Sequence, residues 1–241
     1  MESTTNPAQA RNIWAIVGDV FLAPSRAFES FREKPKFWVP MILVTLILVV
    51  VAYVGHDYNQ LAAKEIYDAA PNIRPEVRQQ IDAQIQSSSA LVSAGSMLIF
   101  FPIITVIGSL IAWLFISFFF GKKAKFMTVW STNLLSGLIA AFGAIVTVPL
   151  MIAKGSVYVS LGPAALMSGH DFTSYLYSAL NQLDIFSVWW VIVAAMGYSI
   201  VFGLSKAQGA TISIVLWLLG ILLALTRTLQ FAFTGVETSF F

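Results

Sequence analysis

The sequence predicts an all-α, polytopic membrane bundle of five transmembrane helices, with amphipathic interfacial helices at its N-terminus. Three observations carry this. Five long apolar runs lie near residues 38–55, 90–120, 126–153, 184–203 and 210–226. A bilayer core about 30 Å thick takes roughly 20 helical residues to cross, and each run reaches or approaches that length. Only 11% of the 241 residues are charged and 58% are hydrophobic, whereas a soluble domain carries about 25% charge. Finally, the basic residues fall unevenly between the connections.

That unevenness gives an orientation. If all five runs cross, Arg11, Arg26, Arg32, Lys34, Lys36, Lys122, Lys123, Lys125 and Lys206 share one side. Lys64, Arg74, Arg78, Lys154 and Arg227 share the other, among Asp57, Glu65, Asp68, Glu76 and Asp82. Cytoplasmic loops are enriched in Lys and Arg. The expected topology is therefore N-terminus cytoplasmic and C-terminus outside. The first 37 residues hold nine charges and no uninterrupted apolar stretch, so the first span is expected to serve as its own signal anchor.

Residues 1–37 form the expected cytoplasmic amphipathic segment. Ile13, Trp14, Val17, Val20 and Phe21 recur at helical spacing on one face. Pro24 ends that helix. Phe28 and Phe31 then pair among Arg26, Glu29, Arg32, Glu33 and Lys34. Trp14, Phe21, Phe28 and Phe31 are the candidate interface residues, expected to dip into the lipid surface. The alternative is a pair of helices packed beneath the bundle. Pro35, Trp38 and Pro40 then set the chain into the membrane.

Residues 38–226 form the expected five-span domain, and 227–241 a short tail. Residues 57–89 are polar and split by Pro71 and Pro75. Val77, Ile81 and Ile85 predict a short amphipathic helix over 76–86. Pro102 predicts a kink or the effective start of span two. Span three carries small residues at Thr132, Ser136, Ala140 and Ala144, a packing face of strict four-residue spacing. Packing within the chain is favoured over homodimerisation, which stays open as a partner mode. Pro149 is expected to close that span. In the long connection 156–183, Asp171 is expected to cap a short helix running through Leu183.

The chemistry is sparse. There is no cysteine, hence no thiolate nucleophile or thiolate metal site. No HExxH, GxSxG, Walker or GxGxxG pattern occurs. The net charge of +2 gives no case for nucleic acid, and no cofactor is implied. His56–Asp57 and His170–Asp171 supply four weak metal-ligand candidates, and ending helices explains them better. The candidate functional polar residues are Asp184, Asn133 and Asn181. Asp184 opens span four, where a carboxylate favours the positive end of the helix dipole; an intramembrane acid could instead bind a cation, a proton or a lipid group. Asn133 lies inside span three and seeks a partner. No acid–base constellation is visible, so an enzyme is not expected.

The stretch Leu22–Ala23–Pro24–Ser25–Arg26–Ala27–Phe28, followed by Glu33–Lys34–Pro35 and Phe37–Trp38–Val39–Pro40, resembles the opening of bacterial members of the YIP family, relatives of the Ypt/Rab-GTPase-interacting membrane proteins. Asn181–Gln182–Leu183–Asp184–Ile185–Phe186 with Trp189 resembles the start of the family's fourth span. Gly197 and Gly203–Leu204–Ser205–Lys206 resemble the family's next segment. The likeness runs from about Phe21 to Thr226. It implies a membrane-embedded, non-enzymatic protein. The amphipathic face over 13–21, the Phe28/Phe31 pair and the missing catalytic chemistry point to an adaptor or membrane organiser of the bacterial inner membrane, whose partners are the bilayer and other membrane proteins. The Asp-Leu-Tyr-Gly-Pro type of sequence of eukaryotic members is not evident before the first span, so Rab binding is not implied. The competing function is a small transporter, channel or lipid-moving protein using polar groups near Asp184 and Asn133.

Overall fold

The computed structural model describes residues 12–33, 35–68, 73–167 and 173–234. Arg11, Lys34, Pro71, His170, Asp171 and the tail from 235 lie outside the described residues. The described chain forms ten α-helices and no β-strand. They are α1 (Ile13–Leu22), α2 (Pro24–Glu33), α3 (Trp38–Val54), α4 (His56–Asp68), α5 (Pro75–Ser87), α6 (Ala90–Leu114), α7 (Phe126–Lys154), α8 (Tyr175–Leu180), α9 (Ile185–Phe202) and α10 (Lys206–Thr234). Four stretches are long and apolar enough to cross a membrane: Ala90–Phe119, Phe126–Lys154, Ile185–Phe202 and Lys206–Gln230. A fifth arises when α3 and α4, bent by 55° at Gly55, count as one span. The chain is thus an all-α polytopic bundle.

Short connections make sequential spans antiparallel and define two ends, termed proximal and distal. The α6–α7 and α9–α10 turns lie together at the proximal end. Leu204 and Ile212 pack there into one cluster with Ile116, Val129 and, at its margin, Ala124. Lys122, Lys123, Lys125 and Lys206 stand exposed at this end. The distal end holds α4, α5, the stretch 155–167 and α8.

Local chemistry sets the boundaries. After Leu114, α6 continues as a π-helical turn, Phe115–Phe119. The Phe120 amide donates to the Phe115 carbonyl at 3.0 Å and the Lys122 amide to the Ile116 carbonyl at 2.9 Å. The Trp113 indole N–H then ties the lysine loop by donating to the Ala124 carbonyl at 2.9 Å. In place of a fresh start at Pro102, one helix runs through it. Nor does Pro149 close span three: α7 continues to Lys154. A buried apolar helix tolerates the lost N–H when its neighbours hold the backbone. The stop is Gly155, whose φ of +62° suits glycine. The Gly155 and Ser156 amides bond the Ile152 and Met151 carbonyls, capping the helix end.

Two other expectations shift. The amphipathic helix after Pro71 runs Pro75–Ser87, with Pro75 in its first turn. The short helix near 171–183 spans only Tyr175–Leu180; its cap is Ser174, whose hydroxyl accepts from the Tyr177 amide at 3.2 Å. α10 also starts at Lys206, four residues ahead of the apolar run. Ser205 and Gln208 form a reciprocal capping box: the Gln208 amide donates to Ser205 Oγ and the Ser205 amide to Gln208 Oε1.

The N-terminal helices form a hairpin built into the bundle. α1 packs on α2 and α7, and α2 packs on α9. Ile16, Val20, Ala27, Phe28 and Phe31 join Val44, Leu135, Leu138, Ile139 and Val193 in one core. This corrects the expectation for Phe28 and Phe31. Both are fully buried in protein, so neither dips into lipid. The apolar face of α1 is also rotated: Ile16 and Val20 point inward, while Trp14 is 60% exposed. The Phe28 ring fits because Gly197 has no side chain; a Cβ there would stand 2.7 Å from Phe28 Cζ. Across the hairpin, the half-exposed Arg26 donates to the buried Asp19 carboxylate at 2.8 Å.

Candidate functional site

Asp184 begins α9 as its N-cap. One carboxylate oxygen, Oδ1, accepts from the Phe186 amide at 2.8 Å and the Ser187 amide at 3.2 Å. Two of the four amides that a helix start leaves unpaired are thereby satisfied. Ser187 reinforces the turn, its hydroxyl donating to the Gln182 carbonyl at 2.6 Å and the Asp184 carbonyl at 2.8 Å. The Trp217 indole of α10 donates to the same Gln182 carbonyl at 3.1 Å. The chain ahead of α9 is thus clamped from both sides.

This turn forms one wall of a distal cleft of about 410 Å³. Asp184, Asn181, Gln182 and Ser187 line it from one side, Ala140, Ala144 and Thr147 of α7 from another, and Ser160 from the stretch 155–167. Sequence reasoning placed Asp184 and Asn181 together; the structure adds Ala140 and Ala144 opposite them. That stretch reaches the turn only because residue 162 is glycine. A Cβ there would lie 2.5 Å from the Leu183 carbonyl oxygen and 3.0 Å from Asp184 Cα.

Beneath the cleft lies an aromatic layer. Phe142 and Phe186 meet edge to face with centroids 5.8 Å apart, and Phe21 of the hairpin contacts Phe142 at 5.5 Å and Trp189 at 5.9 Å. Gly143 admits the Phe186 side chain, since a Cβ there would be 2.8 Å from its Cβ. Leu135, Leu138 and Ile139 continue the packing toward the proximal end. The small-residue ladder of α7 is therefore split. Thr132 and Ser136 are buried against neighbouring helices, their hydroxyls bonded to the carbonyls one turn back, while Ala140 and Ala144 face the cleft.

Asn133 lies apart from Asp184. Its Nδ2 donates to Ser109 Oγ of α6 at 3.0 Å; Ser109 donates to the Thr105 carbonyl at 2.6 Å, and Thr105 to the Pro102 carbonyl at 3.0 Å. The Trp130 indole joins at Thr105 Oγ1, 3.1 Å away. This is a polar seam between α6 and α7 that pins their register. Thr105 and Ser109 have i, i+4 spacing, a signal that a hydropathy reading passes over.

His56 is occupied structurally: its Nδ1 lies 2.8 Å from Ser93 Oγ, joining α4 to α6. Among the described residues no three His, Asp or Glu side chains converge on a metal-sized space; His170 and Asp171 lie outside them.

Comparison with known proteins supplies the relationship. A 203-residue alignment gives 27% identity to membrane protein YknW of Bacillus subtilis (strain 168), covering 82% of this chain and 83% of that one. No solved structure matches. Residues 18–226 match the family described as the Yip1 domain, a segment that takes in the hairpin turn, the bundle and the Asp184 cleft, and the chain belongs to that family.

Proposed function

We propose that this chain is a non-enzymatic membrane organiser whose working element is the α1–α2 hairpin, which enters from the proximal end and stops short of crossing the membrane. The observation behind this reading is depth. Phe21, at the hairpin turn, touches Trp189, thirteen residues before the proximal end of α9. Thirteen residues of helix span about 20 Å, against a hydrocarbon core of about 30 Å. The hairpin starts and returns at the proximal end, so it adds cross-section to one leaflet far more than to the other. Leu22, 88% exposed at the turn, offers a lipid-facing or partner-facing contact. The lysines of the proximal end support a cytoplasmic setting for it, in a bacterial inner membrane. Protein partners would meet the same surface through Trp14 and Leu22.

Reconstitution into liposomes of one fixed composition tests this. Vesicle diameters imaged by electron cryomicroscopy should fall as wild-type protein is added. They should fall less with a chain lacking residues 1–33. Equal diameters for both would sink the reading. A photo-cross-linker at Leu22 separates lipid from protein contacts by the mass of the adduct.

A second reading, a small transporter or lipid-moving protein, is favoured by the polar distal cleft around Asp184 and Asn181. Its test is ion flux and lipid scrambling with Asp184→Ser, which keeps a capping oxygen but removes the charge. Activity in wild type that disappears in the variant supports it; two inactive preparations exclude it.

A further inference from the structure

Besides the distal cleft, a second concavity of about 440 Å³ opens on the side of the bundle where α2, α9 and α10 meet. Its walls are apolar: Ile192, Ala195, Met196 and Ile200 of α9, and Ala210 of α10. Small residues make the hollow. Ala195 and Ala210 leave it wide, and Gly209 lets α10 lie directly on Ser199 and the Ala195 carbonyl. At its proximal mouth stands the exposed Lys206, the one charged residue among those lining it. Lys206 opens the first turn of α10, so its ammonium and the positive end of a 29-residue helix point the same way.

We infer that this groove seats one acyl chain of an anionic glycerophospholipid, with its phosphate at Lys206. The dimensions fit. Ile192 lies ten residues from the end of α9 at Phe202, about 15 Å along the helix, which is half of a core about 30 Å thick. That is the reach of one leaflet's chain. The charge fits too: among the described lining residues there is no carboxylate to neutralise the lysine, so a zwitterionic headgroup gains less than an anionic one. Ser25 of the hairpin also borders the groove, so a seated lipid touches α2, α9 and α10 together. The inference does not depend on the hairpin's proposed effect on membrane shape, nor on which side the proximal end faces.

The test uses the full chain in detergent, titrated with phosphatidylglycerol or with phosphatidylcholine of identical acyl chains and read by native mass spectrometry. Wild type should retain the anionic lipid about fivefold better, the advantage that one surface lysine confers. Lys206→Gln should bring the two lipids level, and Lys206→Arg should keep the preference. Ile192→Trp, at an exposed position, should reduce retention of both. Circular dichroism and gel-filtration elution check that each variant stays folded. Equal retention of the two lipids by wild type, or an unchanged preference in Lys206→Gln, overturns the inference.

Discussion

The contact between Phe28 and Gly197 shows how much rests on a single missing side chain. Association of helices in lipid depends on close packing, because lipid tails are as apolar as leucine. A residue that deepens a groove therefore matters as much as one that fills it. Phe28→Ala should destabilise the protein by about 3 kcal/mol, the low end for emptying a buried phenylalanine site. Gly197→Ala should cost about 1–3 kcal/mol by overpacking against the ring. Combined, the two should cost less than their sum, because the truncated residue 28 leaves room for the new methyl. Thermal unfolding in detergent, followed by tryptophan fluorescence, measures all three. Strict additivity would mean that the two positions do not share a contact. The repeat of Phe28 and Phe31 was legible in the sequence; its destination was not. An amphipathic face fits a lipid surface and a protein groove equally well, and only Gly197, far along the chain, decides between them. Asp184 shows the opposite case. Its place at the start of an apolar run already implied a cap, and the bonds to the Phe186 and Ser187 amides are those such a cap makes.

Among the elements, α6 and α7 are joined by a seam whose parts are individually ordinary. Asn133, Ser109, Thr105 and Trp130 link two apolar helices that could otherwise slide. Coupling between Asn133→Leu and Ser109→Ala in a double-mutant cycle should be about 0.6 kcal/mol, the usual size for such bonds in membrane proteins. A coupling of zero would mean that detergent or water satisfies both groups equally well. Asn133 alone was readable as a polar group in need of a partner. Its partner was not, because serine and threonine pass unnoticed when their hydroxyls can bond their own helix. Helix ends were read with similar unevenness. Pro149 looked like a stop, but α7 runs past it to the glycine that caps it. The polar first turn of α10 lies ahead of the apolar run, and the Ser205–Gln208 box makes it helix.

At the scale of the whole molecule, five apolar runs and the sparse charge were enough to give the class, an all-α membrane bundle with four or five candidate spans. They could not give the internal layering: distal polar cleft, aromatic layer, then hairpin. That order depends on contacts between residues such as Phe21 and Phe142, which lie far apart in the chain. Since the chain has no cysteine, single replacements report cleanly on sidedness. Lys123→Cys in intact cells should resist a membrane-impermeant maleimide, and Gln79→Cys in α5 should react with it. The reverse pattern would invert the proposed topology.

The 55° bend at Gly55 bears on the surrounding lipid. Before the bend, α3 has 17 residues, about 25 Å of helix, whereas α7 beside it has 29, about 43 Å. A bilayer cannot match both lengths at once. It meets the short helix by thinning, and the long helix meets it by tilting. The protein should therefore carry an annulus of uneven thickness, thinner along the flank of α3. Neighbours with short spans would find less mismatch there, so the bend sorts company by length without any contact specific to one partner.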